Sequence, residues 1–320
     1  MFISIEYIKK LQNMKINLII LAAFTGVLAL HGKAQSDPSY RQNQFNALIL
    51  NPAQSGANER NQVTVDALKS WVGVEGAPKT ITASGNFNLT NQLGLGFFAV
   101  NDEIGPVKTN RINLSAAYHL KLSKNWVASL GLSGMLSNVV VDLPSVATTV
   151  LNDPHMQTIL NSGTQLHAGY GLLVYRKDFY FGFSQPIIGK VNFSNVMMDQ
   201  YIQSNSFVSY VGGKINLKNN WQFRPNLLYR YVNTFYPYLD LTTMFTYDDR
   251  IDLGASYQLN GSFGALIGIE INKTLYLGYS YSYPTTSLNR ASTQTHEVSL
   301  RVSFGKSKNS FGFQNPRFFN

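Results

Sequence analysis

Of the 320 residues only 13% are charged, while 18 are Tyr, 20 Phe and 25 Gly, a balance unlike that of an ordinary cytosolic enzyme. The chain has no cysteine, which excludes disulfides, thiolate metal sites and cysteine nucleophiles. The formal charge of +9 is spread along the chain and forms no basic stripe, so no nucleic-acid partner is expected.

The N-terminus is read as an address. Lys9, Lys10 and Lys15 precede the apolar run Ile16 to Leu30, and Gly32-Lys33-Ala34 has the small-x-small form of a cleavage site. The run is shorter than the roughly 20 residues a membrane-spanning helix needs, so residues 1–34 are expected to be a signal peptide. They hold four Lys and one Glu, and their removal lowers the formal charge from +9 to +6. A periplasmic N-terminal segment, 35–61, is expected to follow.

From there the chain alternates large apolar and small polar residues. Strands are expected at 62–71, 80–89, 93–102, 109–122, 126–138, 165–176 and 179–185. They continue at 206–217, 221–231, 236–247, 251–259, 262–271, 275–283 and 295–304. Most approach the ten or so residues that a tilted strand needs to cross hydrocarbon. The strand at 109–122 puts Ile112, Leu114, Ala116, Tyr118, Leu120 and Leu122 on one face, with Arg111, Asn113, Ser115, Ala117, His119 and Lys121 on the other. The last strand sets Val298, Leu300, Val302 and Phe304 against Glu297, Ser299, Arg301 and Ser303.

A soluble sandwich alternates too, but its polar face is rich in Lys and Glu. Here that face is mostly Ser, Asn, Thr and Gly, which suits an enclosed lumen. The links also alternate. Tight polar turns are expected at 90–92, 123–125, 177–178, 218–220, 248–250 and 272–274, and longer links at 103–108, 139–164, 186–205 and 284–294. Asn260-Gly261 is short where a long link belongs. Trp126, Trp221, Tyr231, Tyr247 and Tyr283 fall at strand ends, where interfacial girdles lie. The fold expected is an all-β, antiparallel transmembrane barrel of about 14 strands over 62–304 in the outer membrane, both termini periplasmic, with a tail at 305–320.

Motifs for chemistry are nearly absent. There is no phosphate-cradling glycine loop, nucleophile elbow or H-E-x-x-H pair, so no enzyme activity, cofactor or metal is expected. His119 and His167 are expected to face the lumen as hydrogen-bonding residues. Lumenal charges are expected at Asp66, Arg111, Lys121, Lys214, Arg224, Arg230, Asp240, Asp252, Glu270, Glu297 and Arg301. They either pair across strands, as Arg230 and Asp240 are placed to do, or line a selective channel.

Two loops stand out. Residues 142–164 have room for a short helix. Residues 186–205 carry Ile187, Ile188, Phe193, Met197, Met198, Tyr201 and Ile202, enough apolar surface to fold into the barrel or dock a partner.

Several motifs then form a set: Asp37-Pro38, Phe45-Asn46, Asn51-Pro52-Ala53 with Gly56, Trp71 with Gly73, and Gly76-Ala77-Pro78 with Thr80. Leu93-Gly94-Leu95-Gly96, Gly105-Pro106 and the terminal His296-Glu297 complete it. The set resembles the PorP/SprF family of Bacteroidetes outer-membrane proteins over nearly the whole mature chain. The tail beyond Phe304 departs from that pattern.

The resemblance implies a non-enzymatic accessory of the type IX secretion system, helping adhesins or other cargo reach or stay on the cell surface, often in gliding. Partners would be secretion components, cargo and outer-membrane lipid. Candidate contacts are Trp71, Gly76, Ala77 and Pro78, with Phe193, Met197, Met198 and Tyr201; Trp71 serves either as an anchor for a partner or as part of the girdle. The alternative is a solute or fatty-acid transport barrel.

Overall fold

Strands that alternate in this way must pair on both edges if they lie in hydrocarbon, because lipid offers no partner for a free N–H or C=O. The computed structural model, which describes residues 46–145, 157–189, 206–232, 238–259, 261–285 and 294–305, meets that demand by closing the sheet on itself. Its strands are β1 (Asn61–Lys69), β2 (Lys79–Asn88), β3 (Leu93–Ile104), β4 (Val107–Lys121), β5 (Val127–Asp142), β6 (Ile159–Asn161), β7 (Gln165–Arg176) and β8 (Phe179–Ile188). They continue as β9 (Ser206–Gly213), β10 (Ile215–Asn216), β11 (Trp221–Val232), β12 (Tyr238–Tyr247), β13 (Ile251–Gln258), β14 (Ser262–Glu270), β15 (Leu275–Pro284) and β16 (Thr295–Phe304).

Fourteen of these form the ring, each antiparallel to its neighbours, with β6 and β10 as short additions. The ring closes where β1 pairs with β16, from Asn61 opposite Phe304 to Lys69 opposite His296. At the β10 break, β11 pairs directly with β9. The expected strand at 206–217 is interrupted because Gly213 would face Pro225, which has no N–H to give to the ladder.

The two faces of the sheet are inverted relative to a soluble protein. Leu114, Leu132 and Leu166 are 67%, 71% and 77% exposed, whereas Thr82, Asp240 and Glu297 on the other face are buried to 0–1%. The outward surface is therefore apolar and the interior polar. Aromatic pairs mark both ends of the apolar band. Trp126 packs edge-on against Phe179 and Trp221 against Tyr247 at the short-turn end, and Tyr257 meets Phe263 at the other.

The tight turns follow their residues. In Lys218–Trp221 and Tyr247–Arg250 the central pairs Asn219-Asn220 and Asp248-Asp249 all have positive φ, the geometry of type I′ hairpins, which Asn and Asp tolerate. The long link expected at 103–108 is instead a two-residue turn. Gly105, with φ 55°, and Pro106 suit the two central positions of a type II′ hairpin, so β3 and β4 run on to meet them.

These longer strands, with β5, rise above the lipid-facing band. Outward residues change from Ala99, Ile112 and Leu136 to Asn101, Asn110 and Asn138, and the Asn101–Asn110 and Asn138–Asn161 side chains bond at 2.8 Å. Of the expected helix in 142–164, Leu143–Ser145 forms a 3-10 turn and Ile159–Asn161 pairs with β5.

Leu132 lies midway between the girdle residue Trp126 and the polar Asn138 on β5. Leu132→Arg is expected to lower the folding stability of the barrel in lipid vesicles by about 2–4 kcal/mol in reversible denaturant titrations, while Lys124→Arg in the β4–β5 turn leaves it unchanged.

Candidate functional site

The interior is occupied by the chain itself. Residues 46–60, expected in the periplasm, lie inside the barrel at its short-turn end. Asn51 starts a 3-10 turn, Pro52–Gln54, by accepting the Ala53 N–H at 2.8 Å, with proline at a position that needs no donor. So tight a turn directs its carbonyls outward, and the wall supplies donors. Ser184 Oγ donates to Leu50 O at 2.6 Å, Ser129 Oγ to Ala53 O at 2.7 Å and Asn86 Nδ2 to Gln54 O at 2.9 Å. His119 Nε2 is 2.8 Å from Ser55 O.

The side chains of the segment are held as firmly. Asn51 Nδ2 donates to Leu172 O at 3.0 Å and to the Tyr210 hydroxyl at 3.1 Å, which also accepts from Gln54 Nε2 at 2.7 Å. Asn51, Ala53 and Ser55 are fully buried. The approach is close enough that a Cβ on Gly94, Gly131 or Gly171 would overlap Ser55, Ala53 or Asn51. These lumen-facing glycines on β3, β5 and β7 form the socket.

The opposite side of the lumen is filled by side chains. Arg224 is ion-paired with Asp252, which also accepts from Thr246 at 2.6 Å and from the Tyr276 hydroxyl at 3.1 Å. Arg301 stacks over the Tyr276 ring at 4.4 Å, and Met244 packs against Tyr276. Asp66 accepts from Ser299 at 2.5 Å and from Asn46 at 2.6 Å, which ties this side to the buried segment.

Of the expected lumenal charges, Asp66, Arg224, Asp240, Asp252, Glu297 and Arg301 are buried, and Lys121 is exposed at the short-turn rim. In register Arg230 faces Tyr238, not Asp240; Asp240 accepts from Tyr238 and Thr242. On the long-loop side of the segment a cavity of about 50 Å³ remains, lined by Ile49, Phe98, Met135 and Ile187 with Arg111 and Arg230.

Two histidines are built into this packing. His119 lies between Ser55 O and the Tyr175 hydroxyl, and His167 is 2.8 Å from Ser137 Oγ. Among the described residues no group of three His, Asp or Glu side chains is placed to hold a metal.

At the long-loop end, residues 70–78 are strapped to their neighbours. Ser70 N–H donates to Pro78 O, Gly105 N–H to Gly76 O at 2.8 Å, and Val72 N–H to Gln294 O at 2.9 Å. Trp71 is half-buried with φ 51°, its N–H 3.3 Å from Thr295 Oγ1. Gly76, Ala77 and Pro78 therefore belong to a braced rim. Phe193, Met197, Met198 and Tyr201 lie outside the described residues. Ile187 is buried with Phe98, Val100 and Met135.

An apolar exterior, a closed fourteen-stranded ring and a packed polar interior, filled on one side by residues 46–60 of the same chain, define an integral outer-membrane β-barrel. The chain belongs to the family of the type IX secretion system membrane protein PorP/SprF, which matches residues 32–302. Comparison with curated proteins gives no match.

Among solved structures, the chain is similar to the Acinetobacter baumannii outer membrane protein Omp33, with a TM-score of 0.47 and 10% identity, covering 78% of this chain and 100% of that one. A Pseudomonas aeruginosa FadL homologue gives 0.47 and 11%, covering 84% and 95%. The CymD monoaromatic hydrocarbon channel gives 0.47 and 12%, covering 82% and 94%.

The buried segment was missed in the sequence because nothing in Asn51-Pro52-Ala53 names a distant partner. The available signal was the recurrence of glycine within three expected strands, at Gly94, Gly131 and Gly171. Because the chain has no cysteine, Ala53→Cys reports on the segment directly. Its thiol is expected to resist a water-soluble maleimide in the folded barrel and to react readily once Gly131→Val is added. That second change also costs about 1–3 kcal/mol through overpacking.

Proposed function

We propose that this barrel is a non-enzymatic accessory of the type IX secretion system that supports secretion or surface attachment of cargo proteins, adhesins and gliding-associated proteins among them. The observation that carries the reading beyond family membership is the lumen: residues 46–60 occupy one side of it and the Arg224–Asp252–Tyr276–Arg301 group the other. A barrel so filled offers its ends and its outer wall to partners. The braced loop at the long-loop end, with Trp71, Gly76, Ala77 and Pro78, is the proposed contact surface, and Phe193, Met197, Met198 and Tyr201 are further proposed contacts. Secretion components, cargo and surrounding lipid are the proposed partners, and nucleic acid is not among them.

The short-turn end, and with it both termini, is proposed to face the periplasm, as in outer-membrane barrels generally. A thiol at Glu75→Cys is then expected to react with a membrane-impermeant reagent on intact cells, and one at Asn125→Cys to react only after the outer membrane is opened. The reverse pattern would invert the orientation.

A second reading, a transport barrel for solutes or fatty acids, is favoured by the apolar cavity beside Arg111 and Arg230. Planar-bilayer conductance separates the two. The intact protein is expected to show no steady open pore, and Gly131→Val, which unseats the buried segment, to raise conductance. Deleting the gene is expected to remove one or more large secreted proteins from the cell surface. A steady pore with an unchanged surface proteome would favour transport.

A further inference from the structure

The outward face at the long-loop end carries a charge arrangement that the barrel itself leaves unbalanced. Lys69 and Lys79 stand directly opposite each other at the last paired position of β1 and β2, and both are exposed. They follow, on the same face, the opposed pair Ala67 and Ile81, with Ile81 58% exposed in the lipid-facing band. Side chains directly opposite in an antiparallel pair have Cβ atoms about 4.5–5.5 Å apart, and like charges placed so repel. Two ammonium groups thus share one spot at the upper boundary of the apolar band.

The neighbouring strands continue the row. On β16 the residue opposite Lys69 is His296, whose ring nitrogens are taken up by the Tyr279 hydroxyl at 2.7 Å and Gln294 Oε1 at 3.4 Å and whose ring packs edge-on against Tyr281, and it brings no carboxylate to the lysines. On β3 the residue opposite Lys79 is Glu103, but that carboxylate is ion-paired with Lys108 at 3.6 Å. Three lysines are set against one carboxylate, and Lys108 takes that carboxylate.

We propose that Lys69 and Lys79 hold the phosphate of a lipid headgroup in the outer leaflet. An anion between the two ammonium groups converts their repulsion into attraction. The lysine head is a compact point charge suited to phosphate, and basic residues beside a membrane surface favour anionic lipid. The acyl chains of the same lipid then lie along Val65, Ala67, Ile81 and Val298, directly below on the same face. Lipid is favoured over a free anion because the pair sits at the end of an apolar surface that only an amphiphile can cover together with it. The inference rests on the proposed orientation for the choice of leaflet, and the Glu75→Cys labelling tests that orientation independently.

The test uses the full-length barrel in mild detergent, with lipid binding read by native mass spectrometry and folding checked by heat-modifiable migration. The probes are bis-phosphorylated lipid A and the same lipid stripped of phosphate. The folded wild type is expected to prefer the phosphorylated form by about 10- to 30-fold, Lys69→Gln with Lys79→Gln to lose that preference, and Lys124→Gln with Lys218→Gln at the short-turn end to keep it. Equal binding of the two lipids by the wild type would overturn the proposal. So would a preference that survives Lys69→Gln with Lys79→Gln, or one lost instead in Lys124→Gln with Lys218→Gln. Displacement of the phosphorylated lipid by millimolar inorganic phosphate would show a free-anion site and overturn the assignment to lipid.

Discussion

Hydrocarbon gives a backbone amide nothing to bond to, and the rest of the molecule follows from that constraint. An open sheet edge in such a medium leaves a row of unpaired groups, so the first and last strands, separated by more than two hundred residues of chain, must find each other. The pairing of β1 with β16 along their whole length answers that demand. Once the ring closes, the two-residue period of a strand sorts side chains into only two environments. Leu114, Leu132 and Leu166 go to lipid, and Asp66, Thr82, Asp240 and Glu297 go inward.

The inward set poses a second physical problem. Polar groups in a narrow space need partners as much as those of the sheet do. This barrel solves it asymmetrically. From β2 round to β8 the wall presents serine, asparagine and histidine donors with glycine gaps, and a tight turn of the chain fits its carbonyls into them, while the Tyr210 hydroxyl on β9 accepts from its Asn51 and Gln54 side chains. On the β11 to β16 side the wall fills its own space, with Asp252 shared among Arg224, Thr246 and Tyr276, and Arg301 stacked on Tyr276. Asp66, bonded to both Ser299 and Asn46, joins the two halves. A buried ion pair of this kind contributes little net stability but is costly to break, so it fixes the arrangement more than it strengthens it.

With the interior occupied, distinctive chemistry is displaced to the ends and the outer wall. The long-loop end is uneven: β3, β4 and β5 rise past the lipid band behind an asparagine ladder, whereas β13 and β14 turn back beside the aromatic pair Tyr257–Phe263. Residues 70–78 are bonded to Gly105 on one side and to Gln294 and Thr295 on the other, and so connect the high wall to the closing strand. Such a rim is a preformed surface rather than a set of free loops.

Much of this was legible in the residues alone. The alternation in 109–122 and 295–304 set the faces, and Asn219-Asn220 and Asp248-Asp249 announced their turns, because a two-residue period and a positive φ are local properties that neighbouring residues encode. The extent of β3 and β4 around Gly105-Pro106 and the break opposite Pro225 depended on which strand lies alongside, so the expected long link and unbroken strand were revised. The buried segment was the largest departure. Asn51 reaches Tyr210 across 159 positions, and neither residue carries a periodicity that points to the other. Sequence by itself determined that this chain is a membrane barrel with a polar inside, because side-chain alternation against two solvents is decided residue by residue. Only the tertiary structure decided what fills that inside, because the socket exists only after β3, β5 and β7 bring Gly94, Gly131 and Gly171 onto one wall.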